Sequence, residues 1–372
     1  MSNDNDLTKS ITLDYENRLK AIFEDFHAHP ELSLAEFETA KKISTALKNH
    51  GFTVTENVGG TGVVALLKNG KGPLVMMRAD MDGLPLEEKT DLPYASKDKQ
   101  LDPVTGNVFP VMHACGHDVH ITALIGTAKQ MVDLKSEWSG TLMLIAQPAE
   151  ERVLGARNMM NDNLWERFGK PDYALAFHVS SMLPSGIVNV VDGSPYAGAD
   201  TVDIYVHGIG AHGASPHAGK DPIVLGSQIV NSLQTLVSRE LPPRQPGVVT
   251  VGAFHSGTKH NIISDMAHLQ LTVRNTNDKT RDTLLSGIKR ISENLGRAAG
   301  LPEDKLPEVV VSEESTPPTI NDTELANRLK NLWQEKMGIN RVTSYSSDGM
   351  GAEDFPFFTR DPHIPSVYFA VG

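Results

Sequence analysis

The stretch GTLMLIAQPAEE, residues 140–151, combines a mostly apolar run with two adjacent glutamates at its end. An apolar run of this length, bounded by Gly140 and Pro148, predicts a buried β-strand. Strands of this kind are typical of sheets that helices cover. The sequence therefore predicts that the sheet delivers Glu150 and Glu151 to the edge at which this strand ends.

The segments around this strand alternate between helical and strand patterns. Apolar residues recur at helical spacing from 12 to 28. Ser33 and Glu36 form a capping-box pair in front of a second helix, which reaches about Asn49. Further strands and one helix are expected along the chain: strands at 62–67, 73–77 and 174–177, and a helix at about 119–134. The alternation predicts an α/β fold with a largely parallel sheet, in which ligand sites lie beyond the carboxyl ends of the strands.

The pattern changes near Tyr196 to that of a smaller unit. Its elements follow the order strand, helix, strand, strand, helix, strand: 200–207, 221–239, 247–254, 266–274, 278–299 and 307–312. This βαββαβ order predicts a four-stranded, ferredoxin-like sheet with both helices on one face. We therefore expect an inserted domain at 196–313 within a discontinuous domain of residues 1–195 and 314–372.

The composition narrows the functional classes. Among 372 residues, 34 are Lys or Arg and 46 are Asp or Glu, so the formal net charge is −12. This balance argues against nucleic acid and anionic membranes as partners, because both need a basic patch. No apolar run approaches the ~20 residues that span a bilayer, and the polar N-terminus lacks a signal-peptide core. Since Cys115 is the single cysteine, no disulfide within the chain is possible, and these features predict a cytoplasmic protein.

The strongest local signal is HACGHD, residues 113–118. Cys115 and His117 are separated by one residue, so an extended backbone points both side chains the same way. Thiolate and imidazole are good ligands for zinc and similar divalent ions. The alternative interpretation is a buried cysteine that only packs, beside histidines that belong to an ordinary turn.

Other strand ends offer donors as well. Glu150 and Glu151 are adjacent, so they point to opposite sides of an extended chain, where one carboxylate can bind metal and the other can act as general base. His178 follows another apolar strand, and Asp80 and Asp82 are spaced to orient a ligand histidine from outside the metal shell. Taken singly, the glutamates also fit a solvated loop and the histidine a hydrogen-bonded core residue. Their convergence favours a metal site.

Seven motifs cover nearly the whole chain: HPELS (29–33), MRADMDGLP (77–85), HACGHD (113–118), QPAEE (147–151), FHV (177–179), HGASPH (212–217) and GAEDF (351–355). In their residues and their order, the sequence resembles the metallo-amidohydrolases that include hippurate hydrolase and auxin-amino-acid conjugate hydrolases. Aminoacylase and carboxypeptidase G are more distant members. The resemblance implies hydrolysis of the amide bond of N-acyl amino acids by a zinc-peptidase-like α/β domain with an inserted lid.

The resemblance further implies two divalent metal ions per subunit, for which Zn, Mn, Ni and Co all accept this mixture of ligands. It makes Cys115 the bridging ligand and Glu150 the general base. The terminal ligands that it implies are His117, Glu151 and His178.

In relatives, the inserted domain is a lid that mediates dimerisation. A lid histidine crosses to the site of the partner subunit and stabilises the oxyanion; His212 is the matching position, with His217 as a weaker alternative. Asn261 and Arg274 match lid residues that bind the carboxylate side of the substrate, although Arg274 also fits a solvated strand face. The resemblance therefore implies a homodimer that acts on a small molecule.

One part of the family pattern is absent from the sequence given. The family's last metal ligand is a histidine in a motif beyond GAEDF, and the sequence ends at Gly372 before such a motif. His363 lies in a different context and is predicted to be a loop residue. The expectation is a truncated form, a water in place of the fifth ligand, or a non-catalytic protein on the same fold. A dipeptidase is a weaker alternative, because it needs a way to recognise a free amine.

Overall fold

The computed structural model describes residues 2–346 and 349–372 of the chain. The α-helices in these residues are, in chain order, α1 Ser2–Asp14, α2 Lys20–Ala28, α3 Phe37–Asn49, α4 His117–Asp133, α5 Gly155–Asn161, α6 Leu164–Phe168, α7 Pro222–Thr235, α8 Asp278–Ala298, α9 Thr323–Met337 and α10 Pro356–Thr359. The strands are β1 Thr53–Val58, β2 Gly62–Asn69, β3 Leu74–Asp80, β4 Lys99–Leu101, β5 Val108–Pro110, β6 Gly140–Gln147, β7 Tyr173–Val179, β8 Val188–Asn189, β9 Gly193–Tyr196, β10 Gly198–His207, β11 Ala211–His212, β12 Gly247–Ser256, β13 Ile262–Ile263, β14 Met266–Asn275, β15 Glu308–Val311, β16 Thr319–Asn321, β17 Val342–Thr343 and β18 Ser366–Val371.

The described residues form two compact units. The first unit contains those of 1–195, 320–347 and 354–372, and the second unit contains those of 196–319 and 348–353. That the second unit is a domain inserted into the first stays a prediction of the sequence. None of the helices in the described part of the chain is both long and apolar enough to cross a membrane.

The first unit is built on an eight-stranded sheet with the order β1-β2-β6-β3-β7-β18-β8-β17. Strands β6, β3, β7 and β18 are parallel to one another, whereas β1 with β2, β2 with β6, and β18 with β8 are antiparallel. The parallel pairing expected from the sequence therefore covers these four central strands, and the short strands β8 and β17 at one edge are also parallel to each other. Buried apolar side chains of α3, α4, β2 and β6 form one cluster against this sheet. The cluster fixes the strands, and hence the places where they end.

The N-terminal helices differ from the prediction in two details. The helical run begins at Ser2, well before residue 12, and it ends at Ala28 as predicted, with a π-helical turn between α1 and α2. Helix α3 ends at Asn49 as predicted, but the capping box is wrong. Glu36 is the N-cap residue and makes no side-chain cap bond, and the Ser33 hydroxyl donates to the Asp82 carboxylate over 2.6 Å. A buried carboxylate in need of donors competes successfully with the helix end.

The second unit has a four-stranded antiparallel sheet with the order β12-β14-β10-β15. The predicted βαββαβ element order is confirmed, because α7 follows β10 and α8 follows β14. Both helices pack on the same apolar sheet face, which includes Leu269, Leu271 and Val273 of β14. These three residues are buried, as the alternation along this strand predicts.

Candidate metal centre

Four segments of the first unit bring polar groups to one edge of its sheet. Asp80 is the last residue of β3 and Gln147 is the last residue of β6, and the two lie opposite each other in parallel register. His178 lies near the end of β7, and His117 is the first residue of α4. Because neighbouring parallel strands end at the same edge, their polar termini collect there.

The turn in front of α4 depends on Gly116. Its φ is +78°, and a Cβ at this position would lie 2.4 Å from Cγ2 of Val179. Only glycine combines this backbone conformation with so close an approach to β7. The turn thereby brings Cys115 and His117 against the strand that carries His178.

Three overlapping groups of donor atoms share His117, and two of them contain the predicted ligands. One group contains Cys115, His117 and His178, and the other contains His117, Glu150 and Glu151; within each group the donor atoms lie within 4.8 Å of one another. The distances from His117 Nε2 are 3.8 Å to Glu151 Oε1 and 4.0 Å to Glu150 Oε2, both too long for a hydrogen bond. Among the described residues, His117 Nε2 and Glu151 Oε1 are buried without a hydrogen-bond partner. Since buried polar atoms nearly always have a partner, this pair fits a cation between them.

The ring nitrogens of two histidines are oriented by backbone carbonyls. His117 Nδ1 donates to the carbonyl of Asp82 over 2.8 Å, and His178 Nδ1 donates to the carbonyl of Val179 over 2.7 Å. A carbonyl only accepts, so Nδ1 carries a proton in both rings, and in the neutral form of each ring Nε2 carries the lone pair. This is the tautomer that a metal-bound imidazole needs when Nε2 is the ligand atom.

A neighbouring histidine, His120, is fully engaged in hydrogen bonds. Its Nδ1 donates to Asp80, and its Nε2 accepts the backbone N–H of Val179 over 3.0 Å. Burial lowers the pKa of His120 to about 4, so the ring is neutral at physiological pH. Although its donor atom lies close to those of Asp80 and His117, His120 holds the structure around the metal centre and has no nitrogen left to coordinate a metal.

Two donors of the cluster, Glu151 and Cys115, are disfavoured in their charged forms without a cation. Burial raises the pKa of the Glu151 carboxyl. His117 lowers the pKa of the Cys115 thiol, but burial and the Glu151 carboxylate outweigh it, so that pKa is raised as well. A divalent cation reverses both shifts because it stabilises thiolate and carboxylate. Thiol, imidazole and carboxylate are also the donors that zinc and related metals take, so the residues fit such a metal.

The carboxylate of Asp82 holds the turn that carries the two glutamates. It accepts the backbone N–H groups of Glu150 and Glu151, each over 3.1 Å. The sequence predicts that Asp82 orients a ligand histidine through its side chain. In the structure the nearer partner of His117 Nδ1 is the Asp82 carbonyl at 2.8 Å, and the carboxylate Oδ1 is 3.4 Å away. Asp82 therefore orients the imidazole through its backbone and the acidic turn through its side chain.

A buried arginine supports Asp80, and the sequence reasoning missed it. Arg78 donates to Asp80 over 2.6 Å, to Gln147 over 2.7 Å and to Asp354 over 3.3 Å. Asp354 also accepts from the side-chain amide of Gln147 over 2.6 Å. The signal was available, since an arginine inside the apolar strand LVMMRAD has to find buried partners.

The remaining site residues expected from the sequence lie in the second unit. Strands β11 and β13 pair His212 with Ile262, and the N–H of Gly213 donates to the carbonyl of Asn261 over 2.8 Å. These contacts place His212 and Asn261 side by side. Arg274 lies on β14, where burial lowers its pKa.

Two further histidines, the alternative His217 and the predicted loop residue His363, lie in exposed turns. His217 belongs to the short 3₁₀ turn Pro216–Ala218. His363 lies in a turn between α10 and β18, as the sequence predicts. The ring of His212 is also exposed, and its Nδ1 accepts the backbone N–H of Ala214 over 3.0 Å.

The fold and the donor groups together fit a metal-binding α/β protein, with soft and hard donors collected at the carboxyl ends of parallel strands. The sequence model of peptidase family M20/M25/M40 matches residues 76–372. The chain therefore belongs to this family, and it is a hydrolase that acts on carbon–nitrogen bonds.

Individual proteins are similar to this one over nearly the full length of the chain. Hippurate hydrolase of Campylobacter jejuni is 36% identical over 347 residues, which is 93% of this chain and 86% of that protein. N-acetyl-L-cysteine deacetylase of Bacillus subtilis is 33% identical over 96% of this chain and 80% of its own. The solved structure of the Bacillus subtilis YXEP protein, described as a dinuclear metal binding peptidase from the M20 family, has a TM-score of 0.79 at 29% identity; the match covers 96% of this chain and 89% of that one.

Proposed function

We propose that the protein is a two-metal amidohydrolase that cleaves the amide bond of N-acyl amino acids. The observation that carries the proposal is the buried pair of His117 Nε2 and Glu151 Oε1, which lie 3.8 Å apart without partners among the described residues. The substrate class is supported by two relatives, named for hydrolysis of hippurate and deacetylation of N-acetyl-L-cysteine, both N-acyl amino acids.

The residues of the first unit have two proposed roles, as metal ligands and as the general base. The residues that would hold the metal ions are Cys115, His117, Glu151 and His178. When bound, divalent ions make water a better nucleophile near neutral pH and polarise the acyl carbonyl. Glu150, beside the ligands in the same turn, takes the proton of the attacking water and returns it to the leaving amine.

The second unit supplies the proposed recognition of substrate. His212 stabilises the developing oxyanion, and Asn261 and Arg274 bind the free carboxylate of the amino acid. The proposal includes a homodimer, in which the second unit serves as the lid and dimerisation domain. It also includes a cytoplasmic location, because a reducing compartment preserves the Cys115 thiolate. Sedimentation of the purified chain tests the homodimer, and cell fractionation tests the cytoplasmic location.

The deciding experiment is elemental analysis after dialysis against metal-free buffer. We expect about two divalent ions per chain for the wild type, and fewer for Cys115→Ser and His117→Gln. His363→Gln is the matched control, because that histidine lies in an exposed turn. Metal content that is absent from the wild type, or unchanged in the ligand variants, contradicts the proposal.

A substrate panel then tests the chemistry. Hippurate and N-acetyl amino acids are compared with dipeptides at equal concentration, each with the metal found in the elemental analysis. We expect cleavage of the neutral N-acyl substrates, since the proposed site has groups for a free carboxylate and none assigned to a free amine. Preference for dipeptides contradicts the substrate class and favours a dipeptidase.

A further inference from the structure

Glu36 is a buried carboxylate whose role the helix does not explain. Its relative exposure is 0%, and it stands at the start of α3 without capping that helix through its side chain. Its Oε1 accepts the backbone N–H of Ala149 over 2.8 Å and that of Leu34 over 3.0 Å. Its Oε2 accepts the hydroxyl of Thr61 over 2.6 Å. Three donors from three parts of the chain therefore converge on one carboxylate.

The backbone that Glu36 contacts is strained. Ala149 has φ +48° and ψ +41°, and Val153 has φ +57° and ψ +31°. Left-handed conformations cost about 1–2 kcal/mol for residues with a Cβ, and β-branched residues such as Val153 adopt them rarely. These two residues enclose the 3₁₀ turn Glu150–Arg152. Such a turn persists only when its surroundings hold it.

Two buried carboxylates supply that support. Glu36 accepts the backbone N–H of residue 149. Asp82 accepts the backbone N–H groups of the next two residues, 150 and 151. Both acceptors come from distant segments of the first unit. The direction in which Glu150 and Glu151 leave the backbone thus depends on acceptors outside the turn.

We propose that Glu36 is a positioning residue that fixes the left-handed backbone of Ala149, and thereby aims Glu150 and Glu151 at the metal centre. The inference rests on the proposed function of those two glutamates. It assigns Glu36 no contact with substrate or metal. Burial and the neighbouring Asp82 raise the pKa of Glu36 to about 7, and a carboxyl oxygen accepts the N–H of Ala149 in either protonation state.

The test compares substitutions that keep or remove the acceptor. Glu36→Leu fills similar space without an acceptor, and Glu36→Gln retains an acceptor oxygen. Zn²⁺ affinity is measured by chelator competition, and kcat and KM are measured with the best substrate of the panel. We expect Glu36→Leu to weaken Zn²⁺ binding and to lower kcat by ~10–100-fold, with little change in KM. We expect Glu36→Gln to stay within about threefold of the wild type for both quantities.

A second substitution separates positioning from general stability. Ala149→Gly makes the left-handed conformation inexpensive, so it should recover at least about fivefold of the Zn²⁺ affinity lost in Glu36→Leu. Ile43→Ala is the matched control, because Ile43 is fully buried in α3 and belongs to the apolar core. It should lower the melting temperature as much as Glu36→Leu does and leave Zn²⁺ affinity unchanged.

Three results overturn the inference: wild-type Zn²⁺ affinity in Glu36→Leu, an equal loss of affinity in Ile43→Ala, or no recovery in the double variant. If Glu36→Leu does not fold, Thr61→Val removes one donor to the same carboxylate and should give a smaller shift in the same direction. Wild-type affinity in Thr61→Val then overturns the inference. Zn²⁺ affinity decides this question even if no substrate of the panel is cleaved, an outcome that counts against the proposed function alone.

Discussion

The two units of the chain hold their chemical groups in opposite ways. In the first unit, His117 and Asp82 are buried, and carbonyls, carboxylates and backbone N–H groups from several segments fix their positions. In the second unit, His212 is exposed and its Nδ1 is held by the N–H of Ala214, two residues away. The proposed metal centre is therefore preorganised within the first unit, whereas the proposed contribution of the His212 loop depends on what binds to it.

The largest expected effect tests the proposed metal centre of the first unit. Glu150→Gln removes the proposed base and keeps the shape of the turn and its N–H bond to Asp82. We expect kcat to fall by about 10³–10⁴-fold while the metal content stays at the wild-type value. Steady-state kinetics and elemental analysis on the same preparation check both parts. Normal turnover in this variant removes the assignment of Glu150 as base.

The next prediction concerns stability. Arg78→Met leaves the carboxylates of Asp80 and Asp354 buried without their cation, and such a loss typically costs about 3–5 kcal/mol of the free energy of unfolding. Urea denaturation measures it. The matched control is Arg290→Met in the second unit, where the pair with Glu240 is exposed and is worth less than about 1 kcal/mol. Equal losses in the two variants contradict the contrast between the units.

A third prediction tests the exposed His212 loop of the second unit. His212→Ala should lower kcat by about 10²-fold, equivalent to about 2.7 kcal/mol of transition-state stabilisation, because one oxyanion donor is lost. Metal content and unfolding free energy should remain at wild-type values, since the ring is exposed. His217→Ala in the same loop is the comparison variant. If it shows the larger loss of kcat, the oxyanion role belongs to His217.

The smallest expected effect is a pH dependence beside the metal centre. Nδ1 and Nε2 of His27 lie 2.6 Å from Asp118 and 3.0 Å from Glu88. The hydrogen bond with Asp118 raises the pKa of His27 to about 9; burial opposes this shift and Glu88 adds to it. Because the folded pKa exceeds the ordinary value of 6.5, the charged ring stabilises the fold fully below pH ~6.5, and the benefit is lost as pH rises through about 9.

Two substitutions measure how much the charged His27 ring contributes to the free energy of unfolding. His27→Gln should cost about 1–2 kcal/mol of unfolding free energy at pH 6, and the difference from the wild type should shrink toward pH 10. His29→Gln is the control, because the side chain of His29 is 56% exposed in its pair with Asp98. A difference that grows with pH contradicts the sign of the shift.

Much of the fold could be predicted from local sequence. The ends of α2 and α3 and the element order of the second unit follow from apolar periodicity and from turn residues, which act over a few positions. The antiparallel flanks of the main sheet did not follow, because strand order is set by contacts between distant segments. The Ser33–Glu36 capping box failed for a related reason, since both side chains serve buried partners far along the chain.

The sequence by itself determined which donors the chain owns. One cysteine, a histidine two residues later, an acidic pair after an apolar strand and seven ordered motifs indicate a metallo-amidohydrolase. Only the tertiary structure decided how those donors are used. Both ring nitrogens of His120 are hydrogen-bonded, to Asp80 and to the N–H of Val179. The Asp82 carbonyl orients His117, and Glu36 accepts the backbone N–H of Ala149, the residue before Glu150. The physical reason is that a buried polar atom has to find a partner wherever the fold places one, and sequence spacing does not specify that place.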